Sequence, residues 1–170
     1  MMLNIFDNKV PYNIRDGLWE RSITADFKLG WADSDEPEKY NLNIHSDIHP
    51  SFVAPSGILP YFEQCIDDTE WFNNTTLDRI VLNVVKSDDV HYMHVHTNTQ
   101  ILLYYINLDW RDGWYGETLF YDPYDTDKIS FTSIYKPGRI ILFDGSIPHA
   151  IRPQSIKGPK YRFSLSLFFV

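Results

Sequence analysis

The chain has 170 residues, of which 44% are hydrophobic and 22% charged, as in one globular domain with its own core. Its 23 acidic residues outnumber the 15 Lys and Arg residues, and the net charge of -8 argues against non-specific nucleic-acid binding. Cys65 is the single cysteine, which excludes an internal disulfide and fits a reducing compartment. Without a signal-peptide pattern or an apolar run near the ~20 residues of a membrane span, we expect a cytoplasmic protein. The oligomeric state stays open.

The first half of the chain predicts two strands and one helix. The strands are expected at about 22–29 and 40–45. The helix is predicted to begin with Ser56 as its N-cap, because apolar residues recur at spacings of three and four after it. Those residues are Ile58, Leu59, Phe62, Ile66 and Trp71. Cys65 falls within this helix, and we interpret it as a buried thiol without a catalytic role.

The second half of the chain predicts a series of short strands. Apolar or alternating runs are separated by Gly, Pro and Asp residues, which is the pattern of a sheet with tight turns. The runs are 79–85, 90–96, 100–107, 117–121, 129–135, 139–143 and 161–169. This spacing favours an antiparallel sandwich or barrel.

Histidines cluster in the second of these predicted strands. On a regular strand His94 and His96 project from one face and His91 from the other. Two neighbouring imidazoles can bind a transition metal, although a histidine-rich surface strand would have the same sequence. His149 follows 53 residues after His96, far enough for the sheet to fold back and supply a third ligand.

The last predicted strand has a polar face and an apolar face. Phe163, Leu165 and Leu167 alternate with Arg162, Ser164 and Ser166. In an antiparallel sheet the polar face is commonly exposed to solvent. Inside a barrel, an arginine and a nearby serine would instead form a carboxylate site.

Five segments in a fixed order resemble a known family. They are the histidine pair, the segment 103–110 with Tyr104-Tyr105-Ile106-Asn107, the segment 116–120 with Gly116-Glu117-Thr118, the segment 137–143 followed by His149, and Arg162-Phe163-Ser164. Together they resemble the iron(II)- and 2-oxoglutarate-dependent oxygenases, in the prolyl-4-hydroxylase-like branch. The likeness covers about residues 80–170. Residues 1–79 would form a variable N-terminal buttress, so that 1–170 is one domain.

The resemblance implies a mainly β, double-stranded β-helix (a cupin-like jelly roll) with a few N-terminal helices. It implies Fe(II) as cofactor and 2-oxoglutarate as cosubstrate. His149 matches a metal ligand, Arg162 the partner of the far carboxylate of 2-oxoglutarate, and Ser164 and Tyr105 its hydrogen-bonding helpers. The implied reaction hydroxylates an aliphatic C–H bond of a small molecule or peptide, with release of succinate and CO2.

The chain departs from the family at the first metal motif, which is normally His-x-Asp or His-x-Glu. We prefer His94-Val95-His96, which gives a three-histidine site, over His96-Thr97-Asn98, in which Asn98 would be the alternative ligand. His45-Ser46-Asp47 is a literal match, but it lies before the predicted helix and we expect loop residues there. Glu117 is expected to be structural.

Two other function classes stay open for this sequence. A cupin-like metalloenzyme with three histidines would explain the ligands without using 2-oxoglutarate. A non-catalytic jelly-roll binding module would explain the missing carboxylate.

Overall fold

The computed structural model describes residues 2–31, 43–72 and 75–170. Within these ranges the chain forms two antiparallel sheets and three helices, and the mainly β jelly roll predicted from the sequence is confirmed. The strands are β1 (Leu3–Phe6), β2 (Lys28–Trp31), β3 (Asn43–Ile48), β4 (Leu77–Val85), β5 (Gln100–Tyr105), β6 (Thr118–Asp122), β7 (Asp125–Ser133), β8 (Ile140–Asp144), β9 (His149–Ile151) and β10 (Arg162–Phe169). The helices are α1 (Tyr12–Ser22), α2 (Pro50–Val53) and α3 (Leu59–Asp67).

The larger sheet has the order β1-β8-β5-β10-β4-β3-β2, and the smaller sheet has the order β7-β6-β9. Strand alternation gives the larger sheet two different faces. One face packs Leu82, Leu102 and Leu165 against the helices, through residues such as Leu18 and Phe62. The other face looks toward the smaller sheet. The polar side of β10 therefore lies inside the protein, between the two sheets, as the barrel interpretation requires.

The prediction of a strand over 90–96 is wrong. His94 forms a single bridge with His149, and no ladder extends from it. The backbone N–H of His96 instead donates to the carbonyl of Gly145 at 2.7 Å, and the N–H of Gly145 donates to the carbonyl of Thr99 at 2.8 Å. The segment is thus held against the turn between β8 and β9.

The N-terminal half also differs from expectation. Residues up to Ser22 belong to α1, so the strand predicted from 22 begins only at Lys28, and residues 40–42 of the other strand lie outside the described residues. Ile58 is the N-cap of α3. Ser56 ends the 3-10 turn before it, where its hydroxyl donates to the carbonyl of Val53 at 2.7 Å. The sequence patterns did not indicate α1, β1 or β9.

Two interpretations concern the rest of the chain. Cys65 is fully buried in α3, and burial raises the pKa of its thiol to about 11, which fits an unreactive core residue. In the part of the chain that the structure describes, no helix is long and apolar enough to span a membrane.

Partly buried ion pairs connect the residue after β1 to the residues just before β8. Asp7 accepts from Arg139 through both carboxylate oxygens, at 2.8 and 2.9 Å, and from Lys136 at 2.9 Å. The hydrogen bonds from Arg139, which act against desolvation, are the main reason that the pKa of Asp7 falls to about 2. Because the folded-state pKa is lowered, this pair stabilises the protein above about pH 4 and its contribution disappears as the pH falls toward 2.

We expect Asp7→Asn to lower the free energy of unfolding at pH 7 by on the order of 2 kcal/mol. The difference from the unsubstituted protein should shrink as the pH is lowered from 4 to 2.5. Urea unfolding at several pH values measures both quantities. A difference that stays constant with pH would contradict the assignment to this carboxylate.

Candidate functional site

Three histidines converge between the two sheets. One ring nitrogen each of His94, His96 and His149 lies within 4.8 Å of the others. Nitrogen ligands about 2.1 Å from a shared metal lie roughly 3 to 3.5 Å apart, so small side-chain movements would bring them to that distance. The arrangement predicted from His94-x-His96 and the distant His149 is therefore present in the fold.

Backbone carbonyls orient two of these rings. Nδ1 of His94 lies 3.0 Å from the carbonyl oxygen of Tyr92, and Nδ1 of His149 lies 2.8 Å from that of Ile147. A carbonyl oxygen only accepts, so in each case Nδ1 carries the proton and donates. The neutral ring then has its lone pair on Nε2, which is how metal-binding histidines are usually oriented by the groups around them.

Gly145 places His96 at the cluster. A Cβ atom on this residue would lie 2.5 Å from the carbonyl oxygen of His96 and 2.7 Å from that of Thr99. Only a residue without a side chain allows the histidine segment to approach the turn this closely. No sequence pattern indicated a role for this glycine, because its position after β8 gives no signal of the contact.

Among the described residues, Arg162 is the largest fully buried side chain, with 0% of its surface exposed. Its Nε donates to the carbonyl of Gly116 at 2.9 Å, Nη1 to the hydroxyl of Ser164 at 3.3 Å, and Nη2 to that of Thr118 at 3.4 Å. The ion pairs between described residues do not include Arg162. A buried guanidinium without a counterion costs several kcal/mol, which indicates that an anion belongs beside it.

Tyr105 belongs to the same polar network. It is fully buried, and its hydroxyl donates to Thr118 Oγ1 at 2.8 Å. Its ring stacks on that of Tyr135 at 4.3 Å, and the Arg162 guanidinium lies 5.1 Å from the first ring centre and 4.8 Å from the second. Burial raises the pKa of Tyr135, so its hydroxyl stays protonated. No sequence pattern indicated a role for Tyr135 or for Thr118, although Thr118 lies in the Gly116-Glu117-Thr118 motif.

One cavity connects the histidines to the arginine network. Its wall includes His94, His96 and His149, and also Thr118 and Ser164, whose hydroxyls contact Arg162. The rest of the wall is mostly apolar and includes Ile44, Val81, Val84, Val85, Ile101, Leu103, Phe143, Ile151 and Phe168. The cavity therefore has nitrogen ligands in its wall, and the buried guanidinium of Arg162 lies directly behind two of its hydroxyl groups.

Other candidates lie elsewhere. Asn98 is exposed in a turn with a φ of 56° and is not among the cavity-lining residues. His45 and Asp47 lie on β3, so the expectation of a loop there is wrong; their nearest side-chain atoms are 3.8 Å apart, away from the histidine cluster. Glu117 Oε1 lies 3.9 Å from an Arg152 nitrogen.

His91 was expected on the face opposite His94. It lines the same cavity as the three clustered histidines, so that expectation is wrong. The reason is that residues 90–96 do not form a regular strand, and the strict alternation of side chains on which the prediction depended does not apply.

The fold is shared with oxygenases of known structure. A prolyl hydroxylase from Trichoplax adhaerens, in complex with a hypoxia inducible factor peptide, matches with a TM-score of 0.69 and 14% identity over 99% of this chain and 83% of that one. A Pseudomonas putida prolyl-4-hydroxylase matches with a TM-score of 0.70 and 13% identity, over 99% and 92%. HygX from Streptomyces hygroscopicus, with nickel and 2-oxoglutarate bound, matches with a TM-score of 0.64 and 10% identity, over 99% and 82%. No family model and no curated protein sequence matches the chain.

Proposed function

We propose that the chain is an Fe(II)- and 2-oxoglutarate-dependent oxygenase that oxidises an aliphatic C–H bond of a small molecule or peptide. The observation that supports this most directly is Arg162, a fully buried cation without a carboxylate partner among the described residues. Ser164 and Thr118, whose hydroxyls accept hydrogen bonds from Arg162, line the cavity that also contains the three histidine rings. A dicarboxylate with one end on a metal at the histidines and the other at the guanidinium would use both of these groups.

The donor set fits iron. Three neutral imidazoles suit first-row transition metals, and the carbonyl contacts of His94 and His149 present Nε2 to the cavity. Bound Fe(II) would supply the oxygen chemistry, while the protein supplies binding, orientation and exclusion of water. We assign His94, His96 and His149 as its ligands.

The arginine network would bind the far carboxylate of 2-oxoglutarate. Arg162 offers a planar pair of donors, and the Ser164 hydroxyl can add a third hydrogen bond. The Tyr105 hydroxyl holds Thr118 in place, and the stacked rings of Tyr105 and Tyr135 fix the guanidinium plane. The mostly apolar wall would lower the local dielectric constant around the bound cosubstrate, which would strengthen both interactions.

The direct test is conversion of 2-oxoglutarate to succinate and CO2 with purified protein. Under the proposal, succinate forms only when Fe(II) and O2 are both present, and it forms faster with a substrate of the right class. Calorimetry without oxygen measures binding of 2-oxoglutarate separately from turnover. Failure of the metal-loaded protein to bind 2-oxoglutarate would refute the proposal.

A second candidate is a metalloenzyme that uses three histidines without 2-oxoglutarate. It is favoured by one observation, the absence of a carboxylate from the described histidine cluster. It gives no role to the buried guanidinium of Arg162. The calorimetric experiment separates the two, because only the oxygenase requires a site for 2-oxoglutarate.

We expect Gly145→Ala to weaken metal binding by about 10- to 100-fold, as changes beside metal ligands commonly do. The new methyl group would collide with the carbonyl of His96 and push that ring away from the cluster. A metal titration followed by calorimetry measures the effect. Gly17→Ala in α1 is the matched control, because its Cβ would meet only one atom, at 4.0 Å, and it should bind metal normally. Equal affinity in the two variants would contradict this role for Gly145.

A further inference from the structure

The cavity is free of acidic side chains although the chain is strongly acidic. The protein has 23 Asp and Glu residues, and none of the described ones lines the cavity. Asp47 projects from β3 with 60% of its side chain exposed, and Glu117 lies beside Arg152. The polar groups that do face the cavity are histidine rings, hydroxyls and one amide. The cavity therefore has no acidic group to offset the charge of Arg162 behind its wall, although the protein has a net charge of -8.

The charge of the loaded site follows from its residues. The three histidines are neutral when they bind a metal. Fe(II) and Arg162 bring three positive charges, and the 2-oxoglutarate dianion brings two negative ones. One positive charge is left over in an apolar cavity, whereas an aspartate in place of His96 would cancel it. An uncompensated charge in such a space attracts a counterion strongly.

Asn83 marks the place for that counterion. It is the polar residue on the cavity face of β4, between Val81 and Val85, and it lies opposite Ser164 in the register of β4 with β10. Its Nδ2 donates to the hydroxyl of Ser166 at 3.3 Å. The amide keeps a second N–H, and the serine hydroxyl keeps its own hydrogen, so the pair can donate two hydrogen bonds to an anion.

We propose that the cavity selects a substrate with a single negatively charged group, such as a carboxylate, and that Asn83 and Ser166 receive this group. The inference rests on the proposed function, because it assumes that iron and 2-oxoglutarate fill the rest of the cavity. It adds the substrate class, which the fold alone does not indicate.

Acetate and acetamide are matched probes for this inference, since they have nearly the same shape and differ by one charge. We expect acetate to bind the protein loaded with Fe(II) and saturating 2-oxoglutarate, without oxygen, at least about tenfold more tightly than acetamide. The shift of the melting temperature with probe concentration, at constant ionic strength, measures both affinities. Raising the 2-oxoglutarate concentration should leave the acetate affinity unchanged, which excludes competition at Arg162.

Asn83→Leu tests the position of the anion. The variant keeps the size of the side chain and removes both N–H donors, so acetate should bind at least about fivefold more weakly. Binding of metal and 2-oxoglutarate is measured first in both proteins. Loss of these in the unsubstituted protein would contradict the proposed function. Normal loading with equal affinity for acetate and acetamide would overturn the charge preference, and an Asn83→Leu protein that binds acetate normally would overturn the assignment to Asn83 and Ser166.

Discussion

Arg162→Ala is expected to lower the affinity for 2-oxoglutarate by roughly 30- to 5000-fold, which corresponds to about 2 to 5 kcal/mol. The reason is the position of the guanidinium, which is fully buried and paired with hydroxyls rather than with a carboxylate. Removing it leaves the far carboxylate of the cosubstrate without a charged donor. Anaerobic calorimetry of the metal-loaded variant measures the loss.

Two further variants make the result specific. Arg162→Lys keeps the charge but not the planar fork, so its affinity should lie between those of the other two proteins. Arg152→Ala removes an arginine that is half exposed beside Tyr115 and should bind 2-oxoglutarate normally. The metal affinity of all three variants should be unchanged. A folded Arg162→Ala protein with normal 2-oxoglutarate affinity would exclude the oxygenase function.

His96→Ala is expected to weaken Fe(II) binding by more than about 100-fold, because even changes to the groups around metal ligands cost 10- to 100-fold. Asn98→Ala should have little effect, since Asn98 is exposed in a turn while the His96 ring lies in the histidine cluster. A metal titration compares the two variants. A larger loss with Asn98→Ala would show that the alternative ligand pair, His96 and Asn98, is the correct one.

His96→Asp tests the same site with a substitution that should keep or strengthen metal binding instead of weakening it. It introduces the His-x-Asp pair of the oxygenases that the sequence resembles, and an anionic oxygen attracts a divalent cation more strongly than a neutral ring. We therefore expect Fe(II) to bind as tightly as in the unsubstituted protein or more tightly. A loss as large as that of His96→Ala would mean that the backbone at position 96 suits only a histidine.

The residues of the site could be predicted because short sequence patterns determine the relative positions of their side chains. Alternation along β10 places Arg162 and Ser164 on one face whatever the rest of the fold does. His94 and His96 are close in sequence, so they are close in space in any extended backbone. The burial of that β10 face was not determined by the sequence pattern, because the same alternation fits a solvent-exposed strand; the second sheet decides it.

The errors come from contacts between distant residues. The segment 90–96 has the composition of a strand, yet its backbone pairs with the turn around Gly145, about fifty residues later in the sequence. Thr118 matters because it accepts from Arg162 and Tyr105, which lie 44 and 13 residues away. The periodicity of apolar residues within a short stretch of sequence carries no information about partners this far away. It could therefore not identify these residues.

The way in which residues 90–96 are attached to the fold affects local unfolding of the protein. Residues 90–96 lack a sheet ladder, and their backbone joins the rest of the fold through the bridge of His94 to His149 and the hydrogen bond of His96 to Gly145. Local unfolding is easier where the backbone has no sheet ladder, so amide hydrogens there should exchange with solvent long before those of β10, which pairs with a strand on each side. A metal held by the three rings would fasten this segment to β9 and slow that exchange. The exchange rate of a few backbone amides would then measure how much of the protein is loaded, without any substrate or assay of turnover.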